Sequence, residues 1–303
     1  MLEFIYATKN LLRNRTRSVI SLGAIIFGEV ALLLSGGFIE WNLYGMRTTT
    51  IYSILGHIQI AERNYFAKGT ADPFAFLLPR ESEKLDTLYR FPGVKLVTPR
   101  LSFSGLLSRG ETTMSFLGEG LDPEGEDRKS RLISDREVGR FINVSKGSPL
   151  STSDPKGLIV GEGLAASLGL DVGDTVVLLV STPSGGMNAV EGRVRGLFYT
   201  LSKAYNDVAV RMPIDLARQL LRVTGSHIWL VMLEKTEDTD HVTKELNQSF
   251  FFGSGLELKP WHEMADFYKK TARLYNGQMA VLYVIIGLMV ALTIANIMMM
   301  NVM

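Results

Sequence analysis

Val19-Ile-Ser-Leu-Gly-Ala-Ile-Ile-Phe-Gly-Glu-Val-Ala-Leu-Leu-Leu-Ser-Gly-Gly-Phe-Ile39 carries one charge, Glu29. The run is long enough to cross the hydrocarbon core of a bilayer as a helix, which takes about 20 apolar residues. At the other end of the chain, Leu274 to Met303 carries no charge at all. Nothing between them reaches that length. The sequence therefore predicts a membrane protein in which two transmembrane α-helices flank a mixed α/β extracytoplasmic domain. The expected divisions are an interfacial amphipathic helix on the cytoplasmic side at 1–18, a first transmembrane helix at 19–39, the α/β domain at 40–272, open to division into two subdomains, and a second transmembrane helix at 273–303.

Composition supports an ordered chain. Its 303 residues are 46% hydrophobic, and the mean hydropathy is +0.14, enough apolar material for a core as well as membrane spans. Lys plus Arg (32) nearly cancel Asp plus Glu (31), so there is no summed positive field to hold a nucleic-acid backbone, and no nucleic-acid partner is expected. The absence of cysteine excludes disulfides, thiolate catalysis and Cys-based zinc sites, and fits either redox compartment.

Ser21, Ala24, Gly28, Ala31 and Ser35 recur at alternating spacings of three and four, and so form one seam along the first span; Gly287, Ala291 and Ala295 do the same in the second. Small seams let helix backbones approach in lipid, where packing rather than hydrophobicity drives association. The plainer reading is that Gly, Ala and Ser are simply common in spans. Among the polar residues inside the spans, Glu29 and Asn296 are singled out as candidate sites. A charge at mid-membrane costs roughly 2.5–3.5 kcal/mol on insertion scales, so Glu29 is expected to face protein, as a carboxyl hydrogen-bonded within a helix bundle or as a proton or substrate site.

Orientation follows from the flanks. Lys9, Arg13, Arg15 and Arg17 precede the first span, whereas only Glu40 and Arg47 follow closely, which puts the N-terminus in the cytoplasm. Phe38, Trp41 and Tyr44 sit where an outer aromatic belt would lie. Lys269, Lys270 and Arg273, just before the second span, point the other way, but the first span usually dominates. In residues 2–17, Phe4, Ile5, Thr8, Leu11 and Leu12 share a face opposite Lys9, Arg13 and Arg17, the pattern of a helix lying in the membrane interface. The rival is a secretory signal peptide with Ser35 and Gly37 as the small residues of its cleavage site. Against it stand the length of the apolar run and the charge of Glu29.

Between the spans, short β-type runs alternate with short helical ones. Strands are expected near 56–61, 94–107, 112–118, 157–160, 175–181, 190–199, 208–212, 228–233 and 256–259, and helices at 162–168, 213–221 and 238–248. Asp122 to Lys156, rich in charge, Gly, Ser and Pro, reads as a mostly irregular surface segment or the edge of an inserted subdomain. The last helix is expected to run unbroken from Trp261 into the membrane.

No catalytic constellation emerges. Leu158-Ile-Val-Gly-Glu-Gly-Leu-Ala-Ala166 imitates a dinucleotide fingerprint, but its helix ends by Gly169 and no acidic residue follows about 20 positions on to hold a ribose. There is no G-x-x-x-x-G-K-[ST] loop, so any ATPase must be a partner. His57, His227, His241 and His262 are scattered without metal-ligand spacing. Neither a cofactor nor a metal is expected.

The order of parts resembles the MacB, LolC/LolE and FtsX group of ABC permeases, also called mechanotransmission transporters, over essentially the whole chain. Ala7-Thr-Lys-Asn-Leu-Leu-Arg-Asn-Arg-Thr-Arg17 looks like the basic helix before their first span. Gly56-His-Ile-Gln-Ile60 resembles the first outer strand of the lipoprotein-releasing branch. Pro92-Gly-Val94, Val160-Gly-Glu-Gly-Leu-Ala165, Leu168-Gly-Leu170 and Val172-Gly-Asp174 look like recurring elements of the MacB-like periplasmic core domain, and Ala295 to Met303 is similar to the inner end of the second span. The family continues from there into a cytoplasmic coupling helix and two further spans, so the resemblance implies a fragment, a truncated gene or a split subunit, not expected to make a complete transporter half alone.

The resemblance implies a non-enzymatic, multi-pass permease subunit of the bacterial inner membrane. It would transmit motion from an ATP-binding cassette ATPase subunit to the extracytoplasmic domain. The implied partners are that ATPase, a second permease copy or homologue, the lipid bilayer, and a lipoprotein, peptide or hydrophobic cargo or periplasmic partner. The competing class is a membrane-anchored binding or sensor domain without an ATPase, its spans serving as tethers; a membrane-bound enzyme comes third.

Overall fold

A computed structural model gives the fold of residues 15–69, 71–134, 143–200, 202–249, 251 and 253–302. In chain order the elements are α1 (Arg15–Thr49), a π-helical turn (Thr50–Leu55), β1 (Ile58–Glu62), α2 (Tyr65–Lys68), a 3-10 turn (Pro73–Phe76), α3 (Glu83–Tyr89), β2 (Val94–Arg109), β3 (Thr112–Leu121), α4 (Pro123–Ser134) and β4 (Asn143–Gly147). There follow β5 (Gly157–Gly161), α5 (Glu162–Leu168), β6 (Thr175–Ser181), β7 (Met187–Tyr199), α6 (Lys203–Asn206), β8 (Ala209–Pro213), α7 (Ile214–Leu221), β9 (Ile228–Leu233), a 3-10 turn (Thr236–Asp238), α8 (Thr239–Ser249), β10 (Leu256–Pro260), α9 (Trp261–Met264) and α10 (Asp266–Val302). They divide into a helical unit, Met1–Arg47 with Asp266–Met303, and a domain, Thr48–Ala265.

In the helical unit, α1 and α10 are long and apolar enough to cross a membrane. Their side chains are laid open along most of their length; Phe27 is 75% and Val284 68% exposed, an apolar surface that a water-soluble chain does not carry. The two helices meet at Gly28: a Cβ there would lie 3.0 Å from Met289 Cε and 3.3 Å from Ile286 Cγ2. Near Gly36 the neighbour is Met279. As α1 advances from 28 to 36, its contacts on α10 recede from 289 to 279, so the pair is antiparallel.

The domain is built around the long strand β2. Its first half pairs β9, which pairs β1, which pairs β10. Its second half opens a ring: β2–β3–β8–β5–β7–β6 returns to β2 through Leu106↔Leu179, Leu107↔Leu178 and Ser108↔Val177. Strand alternation sorts side chains between faces. Leu101, Phe103 and Leu107 of β2 join Phe116, Val160, Leu178 and Met212 in a core closed by Leu164 of α5 and Leu216 and Leu220 of α7. On the flat part, Val97, Ile58, Ile60, Trp229 and Val231 pack against Leu85 and Leu88 of α3 and Val242 and Leu246 of α8. Each such side chain contributes about 1.5–3 kcal/mol on burial.

Two expectations need correction. Asp122 to Lys156 is not mostly irregular, because α4 forms there. Asp122 caps it, accepting from the N–H groups of Glu124 and Gly125, with Pro123 in the first turn where its missing N–H costs nothing, and β4 follows at 143–147. Nor does the last helix run unbroken from Trp261: it stops at Ala265 (φ −82, ψ 61) and restarts at Asp266.

Where the ring passes over α7, β3 carries Gly120, at which a Cβ would stand 2.6 Å from Ala217 Cβ and 3.3 Å from the Ile214 backbone. Gly120→Ala is expected to destabilise the domain by about 1–3 kcal/mol, the usual cost of overpacking. It would be measured as a lower urea midpoint with unchanged slope.

Candidate functional site

The chain enters the domain through the π-helical turn, a rare geometry. Its wide loop is closed by the Gly56 N–H donating to Ile51 O at 2.7 Å. Gly56 has φ +67, and a Cβ there would lie 2.5 Å from Leu230 Cδ2, so both conformation and space require glycine. His57 follows, fully buried. Its N–H donates to Val231 O at 2.9 Å, and its ring Nδ1 accepts from Leu233 N–H at 3.1 Å. The proton of the neutral ring is therefore on Nε2, 3.0 Å from Thr236 Oγ1. His57 O accepts the N–H of Trp261 at 2.9 Å. The strand by which the chain enters the domain is thus bonded to the residue at which it turns to leave.

A buried ionic layer holds this junction from behind, on the face of β2 opposite the apolar cores. Arg100, 5% exposed, donates from Nη1 to Ile54 O in the π-turn at 3.1 Å and from Nη2 to Glu126 Oε1 at 3.2 Å. Lys129, 2% exposed, holds Glu126 from α4 at 2.5–2.7 Å. Beside them Arg211 of β8 donates from Nε to Glu119 Oε2 at 2.9 Å and lies 4.7 Å over the Phe198 ring. Burial alone would raise the Glu126 carboxyl, but the Lys129 and Arg100 cations outweigh it and hold it at about 2. Burial pulls the Lys129 ammonium down to about 8, against the attraction of Glu126. Glu119 is likewise held below its usual range, with Arg211 and Arg100 overcoming burial.

The residues singled out in the sequence fall mainly in the helical unit. Ala24, Gly28, Ala31 and Ser35 lie on the more covered side of α1, with Gly28 at the contact with α10. Gly287, Ala291 and Ala295 are exposed, on the side of α10 away from Met279, Ile286 and Met289. The two seams therefore do not meet. Glu29 is exposed and does not face α10. Arg15, Arg17, Ser21 and Asn296 lie in these helices, with their side chains outside the described set, and residues 1–14, including Lys9 and Arg13, are outside it altogether. In the domain, the glycines of the fingerprint-like stretch serve packing: a Cβ at Gly161 would strike the Asn206 backbone and one at Gly163 the Asp207 carboxylate. His241 and His262 pair with Glu245 and Asp240. Among the described residues no group of His, Asp or Glu is arranged to hold a metal.

Fold and junction together define an α/β domain whose chain enters and leaves at one place, between two helices fit for a membrane. Residues 18–249 match the MacB-like periplasmic core domain. The chain belongs to that family. It is 25% identical over 216 residues to the lipoprotein-releasing system transmembrane protein LolC of Xylella fastidiosa, covering 68% of this chain and 48% of that protein. To the corresponding LolE of Haemophilus influenzae it is 28% identical over 98 residues, 32% of this chain and 22% of that one. The chain thus spans about half the length, or less, of the curated relatives it matches. The solved periplasmic region of MacB from Actinobacillus actinomycetemcomitans aligns over 70% of this chain and 92% of its own, with a TM-score of 0.47 and 14% identity. The extracellular domain of the noncanonic ABC-type transporter YknZ from Gram-positive bacteria aligns over 67% and 98%, with 0.46 and 13%.

The depressed Glu126 has a consequence in pH. Its folded value lies below the ordinary 4.5, so the stability it contributes is fully present above pH 4.5 and lost as pH falls towards 2. Urea midpoints should fall across that window, and Glu126→Gln should start lower at neutral pH and show a flatter acid limb.

Proposed function

We propose that this chain is a permease subunit of an ABC-type export or lipoprotein-releasing transporter, transmitting ATP-driven motion from a partner ATPase to an extracytoplasmic domain. The observation that carries this reading is the bond from Trp261 N–H to His57 O. It joins the inlet and outlet of the domain, while Arg100 ties the inlet to the ionic layer. A displacement at either root has to move β1, β9 and β10 together. A tether has no need of such a junction.

In this reading the N-terminus is cytoplasmic, the spans lie near 19–39 and 273–303, and the domain near 40–272 is outside. Cargo need not pass through the chain. The domain would move or release a lipoprotein, peptide or hydrophobic molecule, or signal to a periplasmic partner, with a second permease copy or homologue alongside. The names of the LolC and LolE relatives support the lipoprotein-releasing version. A ligand shifts a conformational equilibrium only through differential contact with its states, so rigid links are the parts to test.

Ala272→Pro would interrupt α10 and remove a backbone hydrogen bond. In the chain reconstituted with its ATPase, the substitution is expected to abolish cargo-stimulated ATP hydrolysis while the domain keeps its thermal transition. Unchanged stimulation contradicts the transmission reading, and failure to find any associating ATPase favours an anchored binding or sensor domain.

A further inference from the structure

Lys269, Lys270 and Arg273 oppose the charge trend that orients the first span, and nothing in the transmission reading uses them. Lys269 is paired with Asp266 at 2.9 Å. Lys270 and Arg273 make no ion pair among the described residues; both are exposed, one turn apart on the same face of α10. Immediately below them on that face lie Leu274, Gly277, Gln278 and Val281, which with the two cations line a shallow groove. Leu274 and Val281 are 60% and 58% exposed, and nothing lies within 4 Å of a Cβ at Gly277.

From this order of chemistry along one helix face we propose a binding site for a phospholipid of the surrounding bilayer, with its phosphate held by Lys270 and Arg273. The Gln278 amide stands about 7.5 Å further into the membrane than Arg273 at 1.5 Å per residue, the depth of the glycerol esters. An acyl chain then runs along Leu274 and Val281, over the notch left by Gly277. Two unpaired cations select a lipid of net negative charge, and each basic residue near a bilayer surface adds about 1 kcal/mol of attraction to one. The apolar half of the groove distinguishes a lipid from free phosphate, which would have no use for it. Such a lipid would also compensate the two charges at the edge of the span.

The test is native mass spectrometry of the full chain, delipidated in mild detergent and titrated with phosphatidylglycerol. The expected result is one retained lipid, bound roughly thirtyfold more weakly by the Lys270→Gln/Arg273→Gln double variant. Lys269→Gln should match the parent, and Gly277→Leu should weaken binding with both charges intact. Soluble glycerol phosphate should not compete at equal concentration. Helical content by circular dichroism verifies that each variant is folded. Equal retention by the double variant, or an equal loss in Lys269→Gln, would overturn the site in favour of none or of diffuse attraction. Efficient disulfide dimerisation of Gly277→Cys in this cysteine-free chain would overturn it in favour of a second copy on the same face.

Discussion

The backbone hydrogen bond from Trp261 to His57 is the constraint on which the rest of the domain is arranged. It closes a chain of more than two hundred residues at the point where it opened, so β1 and β10 must be neighbours and the sheet must be organised around that pairing. The buried His57 ring extends the closure to β9 by accepting from Leu233. Each of these groups would be an unsatisfied polar atom if the junction opened, and burying such an atom without a partner costs about 1–3 kcal/mol. The two roots therefore open or hold together, while Ala265, just beyond the junction, breaks the helix that follows.

Behind the junction lies a layer of charge where most domains place aliphatic residues. Arg100, Lys129 and Arg211 are buried, and each is paired with a half-buried carboxylate, Glu126 or Glu119. Buried pairs of this kind are often no more stabilising than well-packed apolar residues, but removing one member costs about 3–5 kcal/mol. What the layer supplies is direction: the Arg100 guanidinium fixes the Ile54 carbonyl, and with it the angle at which the π-turn meets the sheet.

Much of this was legible in the sequence. Strand 175–181 and helix 162–168 fall where alternation and helical period placed them, because their apolar positions face a core on one side, and strand 228–233 falls where a short continuous apolar run placed it, buried on both faces. The family, too, could be read from short motifs taken in order. The junction could not. His57 differs from a solvent-exposed histidine only through partners 176 and 179 positions away, and no local pattern encodes them. Helix α4 was obscured by its density of charge and by Gly125, although Asp122-Pro123 is a sound start signal. Its buried Lys129 looks from sequence like any surface lysine. In the spans, Gly28 stands at the contact with α10, but spacing alone does not say which of two seams faces which helix.

The most direct test of the account is hydrogen exchange of the chain reconstituted with the ATP-binding cassette ATPase proposed as its partner, compared between nucleotide-free and ATP-trapped states. The account predicts that protection changes at Ile51–His57 and at Trp261–Met264 together, with the ring core around Leu178 and Met212 unaffected. Identical exchange at both roots in the two states would contradict it.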